Sequence, residues 1–265
     1  MNARLISHWV AALAAIVLVA SAPLAHAGRS CEAKPLTALA FENGMTLAEK
    51  TRVALDASGA KLVVLARAGQ DLRKYNLRYS HLGFALKQAD GRWLVVHKLN
   101  HCGSAEAALF RQGLAEFFLD DLFRNEGAYV IPRREMQEAL HALLSGADVK
   151  ALDVPQYNVV AYPWSTRYQQ SNQWAIEMIA MAMSPRVRAR EQAQAWLKFE
   201  GYTPTTLNIP PLTRLGGRMT AANVAFDDHP NEKRFSDRIE TVTVDSVFAW
   251  LTRSGFSSDV IRVTL

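Results

Sequence analysis

Residues Tyr79-Ser-His-Leu-Gly-Phe-Ala-Leu-Lys87, Gln88-Ala-Asp-Gly-Arg92 and Trp93-Leu-Val-Val-His-Lys-Leu99 decide how this chain folds. Two apolar-rich runs flank a polar turn that contains Asp-Gly, which is the pattern of a β-hairpin with strands over 80–87 and 93–99. Side chains alternate across a strand. Tyr79, His81 and Gly83 are therefore expected on one face and Leu82, Phe84 and Leu86 on the other. A turn of this length lets His97 fall beside His81 on the same face. One imidazole can then orient the other through its second ring nitrogen.

Further along the chain, Tyr168-Gln-Gln-Ser-Asn-Gln-Trp-Ala-Ile-Glu-Met-Ile-Ala180 reads as the start of a helix. Trp174, Ile176, Met178 and Ile179 supply the apolar face that holds it against a core. Ser171 either caps this helix or is its reactive group. A serine hydroxyl is a poor nucleophile at its own pKa and needs an adjacent base, itself held by a third group. His81 is the best base in the sequence and His97 the best group to orient it. The helix N-terminus at Ser171 favours developing negative charge. Tyr79, Tyr168, Gln173 and Trp174 adjoin these groups in sequence and are the candidate substrate contacts. The plain readings are an N-cap for Ser171, hydrogen-bonded half-buried strand residues for the histidines, and a solvated or salt-bridged Glu177. His101, His141 and His229 lack zinc-like spacing, so neither a metal nor a cofactor is expected.

Outside these segments the pattern predicts a helix over 46–57, a strand over 61–68, helix or turn over 107–122, a strand over 128–132 and a helix over 133–144. A short strand follows at 157–162 and a helix at 186–199. Residues 201–231 read as a long irregular connection. A strand over 239–244 and a helix over 246–253 capped by Asp245 complete the chain.

The order Tyr-Ser-His-Leu-Gly-Phe, a Trp-Leu-Val-Val-His strand, a segment ending in Tyr-Val-Ile-Pro-Arg133 and a late Tyr-x-x-Ser-x-Gln-Trp helix resembles the circularly permuted NlpC-type, papain-like hydrolases. The likeness spans about 62–182. It implies an α+β fold, an antiparallel sheet packed against a nucleophile-bearing helix. It also implies that His81 is the catalytic histidine, His97 the third polar residue and Ser171 the nucleophile. The family's nucleophile is cysteine, and serine is much harder to deprotonate. Two functions follow: an exported hydrolase or acyltransferase acting on an amide or ester, or a catalytically silent protein that binds an envelope ligand in the same cleft. A third is an accessory protein that makes contact through exposed Tyr162, Trp164 and Tyr168. The whole chain also resembles an uncharacterised family of exported bacterial proteins known only as a domain of unknown function.

The N-terminus reads as an export signal over 1–27, with Arg4, an apolar run from Trp9 to Ala20, and Ala25-His26-Ala27 as the cleavage site. The mature chain is then one domain over 28–265, periplasmic or secreted. No later segment reaches the ~20 apolar residues of a membrane span. Its two cysteines, Cys31 and Cys102, are expected to form a disulfide there; the rival is a Cys102 nucleophile near His81, His97 or His101. The 265-residue chain has a formal net charge of +5, with both signs dispersed and only short basic patches at 133–134 and 186–190. Nucleic acid is not an expected partner; a cell-envelope peptide, glycan or lipid is.

Overall fold

The computed structural model describes residues 35–120 and 122–265; the expected export signal and Cys31 lie outside them. The strand β1 (Leu62–Arg67) is Leu-Val-Val-Leu-Ala-Arg, buried at every position. A continuous apolar run suits a strand covered on both faces. It pairs antiparallel with β2 (His81–Lys87) on one side and β5 (Glu126–Val130) on the other. The predicted hairpin joins β2 to β3 (Trp93–Asn100), and its turn is closed by the Gln88 N–H on the Arg92 carbonyl at 2.7 Å. Gly91 sits there at φ 85°, a conformation only glycine adopts without strain. With β4 (Ala107–Gly113) and β8 (Ile261–Thr264), the described residues form a six-stranded antiparallel sheet of order β4-β3-β2-β1-β5-β8.

The helices are α1 (Ala38–Ala57), α2 (Leu114–Leu119), α3 (Arg134–Ser145), α4 (Ser171–Met183), α5 (Arg190–Phe199), α6 (Pro211–Thr220), α7 (Asn231–Arg234) and α8 (Val244–Arg253). Helices α1 and α2 cover the face that carries Val63, Leu65, Ala85 and Val95. Helices α3, α4, α5 and α8 cover the face of Leu62, Val64, Leu82 and Phe84. The result is an α+β domain with an antiparallel sheet. Helix α4 is the most enclosed of the described helices, buried from Ser171 to Met181. Within it Glu177 is not solvated: it pairs with Arg190 at 2.8 Å and accepts from Gln169 and Gln194.

Four sequence expectations change. Residues 107–122 are not one helical stretch but β4 followed by α2, because β4 finds a partner edge on β3. Residues 157–162 form turns rather than a strand. The connection at 201–231 contains β6 (Thr205–Asn208) and α6. The strand β6 pairs with β7 (Arg238–Thr241), and the two enclose a small apolar cluster of Leu207, Ile209, Phe226 and Ile239. Helix α8 is capped by Thr243, whose hydroxyl accepts from the Ser246 N–H; Asp245 instead accepts from the backbone N–H groups of Arg78 and Tyr79. That contact anchors the segment leading into β2.

Candidate active site

Pairing between β2 and β3 runs from Lys87 with Trp93 to Phe84 with Val96 and ends there. Backbone groups beyond that point need other partners. Asn172, in the first turn of α4, supplies them: its Oδ1 accepts from the Leu82 N–H at 3.1 Å and its Nδ2 donates to the Ser80 carbonyl at 3.4 Å. These bonds grip the residues on either side of His81. The sheet end and the helix start are thereby locked together.

Glycine at 83 makes room for the second histidine. A Cβ there would lie 2.8 Å from the His97 Cβ and 3.0 Å from the Val96 carbonyl oxygen. His81 Nε2 and His97 Nδ1 are 2.8 Å apart, and His97 Nε2 lies 2.8 Å from Gln112 Oε1. An amide oxygen only accepts, so His97 Nε2 carries its hydrogen and His97 Nδ1 is a lone pair. His81 must then donate from Nε2, which leaves Nδ1 as its acceptor. Among the described residues no group hydrogen-bonds that nitrogen.

The Phe117 ring packs against both imidazoles, at 6.0 Å from His81 and 5.4 Å from His97. Arg67, opposite His81 in the β1–β2 register, holds its guanidinium 4.8 Å from the same ring and bonds the Phe117 carbonyl and Asp120. Burial, and after it the positive charge of Arg67, keeps His81 well below the usual imidazole range. The same two causes lower His97 to about 4. Both rings are neutral at pH 7.

Ser171 is the first helical residue and not the cap. Gln170 stands at the N-cap with extended backbone, and its amide donates to Thr241 Oγ1 and the Val242 carbonyl, each at 2.7 Å. The Ser171 hydroxyl neighbours the phenol of Tyr157, whose pKa burial raises and this contact draws back. Among the described residues no hydrogen bond joins Ser171 to His81. Both border one cleft of about 690 Å³. Leu77, Val159, Val160, Leu207 and Ile209 give that cleft an apolar wall, while Arg67, His81, Gln112, Gln170 and Ser171 are polar.

The other sequence candidates divide. Tyr79 borders the cleft, but it belongs with Leu82 and Phe84 rather than with His81, packs on Phe248 and donates its hydroxyl to Glu126 at 2.6 Å. It precedes β2, so strand alternation does not reach it. Trp174 is a core residue 5.8 Å from the Phe84 ring, and Gln173 braces the Tyr162 and Pro163 carbonyls; neither lines the cleft. Tyr168, half-buried beside Asp227 and Arg167, is also outside it. Tyr162 and Trp164 are not free contact aromatics: Tyr162 packs on His229, and Trp164 on Tyr202 and Lys198. Cys102 sits at the cleft rim; among the described residues no cysteine is free.

Gln112, Arg67, Tyr157 and Asn172 complete the site and were not singled out from the sequence. Arg67 had a signal, as the one charge closing an otherwise apolar strand. Gln112 had none, because the segment that holds it did not read as a strand.

A family model described as "Uncharacterized protein conserved in bacteria (DUF2145)" matches residues 54–251. The chain belongs to this family. The part shared with DUF2145 runs from within α1 into α8 and contains Arg67, His81, His97, Gln112, Tyr157 and Ser171. This agrees with the expected likeness to an uncharacterised bacterial family. No curated protein and no solved structure matches the chain.

Proposed function

We propose that the protein is an exported hydrolase or acyltransferase of the papain-like, permuted NlpC type, acting on an amide or ester of a cell-envelope peptide or lipid. One observation carries the reading: the His81–His97–Gln112 chain fixes a tautomer in which His81 Nδ1 is a proton acceptor, beside the cleft that Ser171 borders. Substrate entry brings the Ser171 hydroxyl to His81; apo catalytic contacts are commonly looser than those in a complex. The Ser171 Oγ attacks the carbonyl carbon while its proton passes to His81 Nδ1. The carbonyl oxygen becomes an oxyanion, met by N–H groups of the first turn of α4, which have no intrahelical partners. Collapse breaks the C–N or C–O bond, His81 returns the proton to the leaving group, and the acyl-serine passes to water or to a second acceptor. Export and a Cys31–Cys102 disulfide belong to the same proposal. N-terminal sequencing of the mature protein should start at Gly28, and thiol counting after denaturation without reductant should find none free.

A specific observation favours a second reading, a silent binding cleft. Among the described residues Ser171 makes no hydrogen bond to His81, and burial makes His81 a weak base. Restoring the thiol separates the two readings. Ser171→Cys should react with a thiol-directed electrophile faster than the same variant carrying His81→Ala, and Ser171→Ala and His81→Ala should each abolish turnover. If labelling is equal in both backgrounds while ligand binding survives, the hydrolase reading is abandoned.

A further inference from the structure

Helix α6 is mounted inside out. Arg214 is its buried residue, donating to the Arg234 carbonyl and lying over the Phe226 ring, and Gly217 packs near Val224. Leu212, Leu215 and Met219 face the opposite way, 83%, 55% and 77% exposed. At 3.6 residues per turn these three form one stripe. An amphipathic helix of a soluble domain normally turns that stripe to the core. Phe235, 74% exposed, follows the residue to which Arg214 is tied.

The position of the helix matters as much as its orientation. Ile209, just before α6, and Asn223, just after it, both line the cleft that holds Ser171 and His81. The two ends of α6 thus adjoin the cleft, although no residue of 211–220 lines it. Besides the inward Arg214 the helix carries Arg218 and no acid, and among the described residues no acid pairs with Arg218. The chain is cationic as a whole, at +5. An apolar stripe with Arg218 beside it, on a short surface helix of a cationic chain, matches the chemistry of an anionic lipid interface, where apolar side chains enter the acyl boundary and guanidinium groups stay at the headgroups.

We propose that α6 docks the protein on an anionic membrane through Leu212, Leu215 and Met219. The proposal does not rest on catalysis, since it concerns only the outer face of α6. The test is hydrogen exchange of the full chain, read locally over 211–220, with and without vesicles of phosphatidylcholine plus phosphatidylglycerol. The local readout separates docking by α6 from any contact made by the apolar N-terminal run. Exchange over 211–220 should slow with these vesicles, slow less with pure phosphatidylcholine and lose the effect at high salt. Leu212→Ser/Leu215→Ser/Met219→Ser should weaken the partitioning read at α6 by more than about tenfold. Arg218→Glu, which leaves the apolar stripe intact, should weaken it only for the anionic vesicles. Unchanged exchange over 211–220 at saturating lipid overturns the proposal. So does protection that rises with protein concentration without lipid and accompanies a dimer in sedimentation, because a second copy then covers the stripe.

Discussion

Helix α4 buries every residue from Ser171 to Met181, polar ones included, whereas α6 buries Arg214 and turns its large apolar side chains to solvent. The two helices show that burial follows where partners are. Asn172 enters the sheet because β2 offers unpaired backbone groups beside His81, and Glu177 is tolerated inside because Arg190, Gln169 and Gln194 surround it. Helix α6 touches its surroundings through Arg214 and Gly217, and the nearby cluster of Leu207, Ile209, Phe226 and Ile239 is filled without it. Its leucines have no core to enter. The first helix organises the cleft, and the second leaves its apolar stripe exposed.

Substitutions can break this contrast, beginning with the core. Trp174→Ala should cost about 3–5 kcal/mol, because it opens a cavity against Phe84. Glu177→Ala should cost a similar ~3–5 kcal/mol by leaving the buried Arg190 guanidinium without its carboxylate. Chemical denaturation measures both. A loss near zero at either position would mean that α4 is not packed as described.

Gly83→Ala should cost about 1–3 kcal/mol, since its methyl meets the His97 Cβ and the Val96 carbonyl. Its sharper signature is local: imidazole NMR should show the His81–His97 hydrogen bond lost while the far end of the hairpin stays paired.

The histidine pair also predicts a pH dependence. Both rings have folded pKa values below the unfolded value, His97 at about 4. Protons therefore bind the unfolded chain more tightly. This contribution to stability is constant above pH ~6.5 and is lost as the pH falls from there through 4. Urea midpoints from pH 7.5 to 4.5 should fall more steeply for the native chain than for His81→Phe, which removes one titrating ring. Equal slopes would place the acid sensitivity elsewhere.

At the small end, Leu212→Ser and Met219→Ser should each change stability by less than about 0.5 kcal/mol, as exposed positions do. A loss of several times that would mean that the stripe is packed against something, and the inside-out description of α6 would be wrong.

Local patterns made much of the domain readable. The Asp-Gly turn between two apolar runs announced β2 and β3, the unbroken apolar run announced β1, and helix spacing announced α3 and α4. His81 and His97 were recognisable as neighbours because strand alternation and turn length set their register. The reading failed where an element depends on a distant partner. The strand β4 contains Phe110-Arg-Gln-Gly113, which alternates weakly, and becomes a strand because β3 has a free edge. The short β6 exists through β7, far along the chain. Gln112 was missed for the same reason, since its reach to His97 depends on that pairing.

The sequence by itself determined which residues alternate, where the hairpin turns, and that Ser171 opens a helix with an apolar body. These properties depend on the backbone period and on neighbours a few positions away. Tertiary structure alone decided that Gln170 rather than Ser171 stands at the N-cap, that Trp174 and Gln173 are structural, that Tyr157 lines the cleft with Ser171, and that α6 faces its leucines outward. Each of these depends on which distant group reaches a given atom first, and a hydrogen-bond donor or an apolar face takes the partner that packing brings to it.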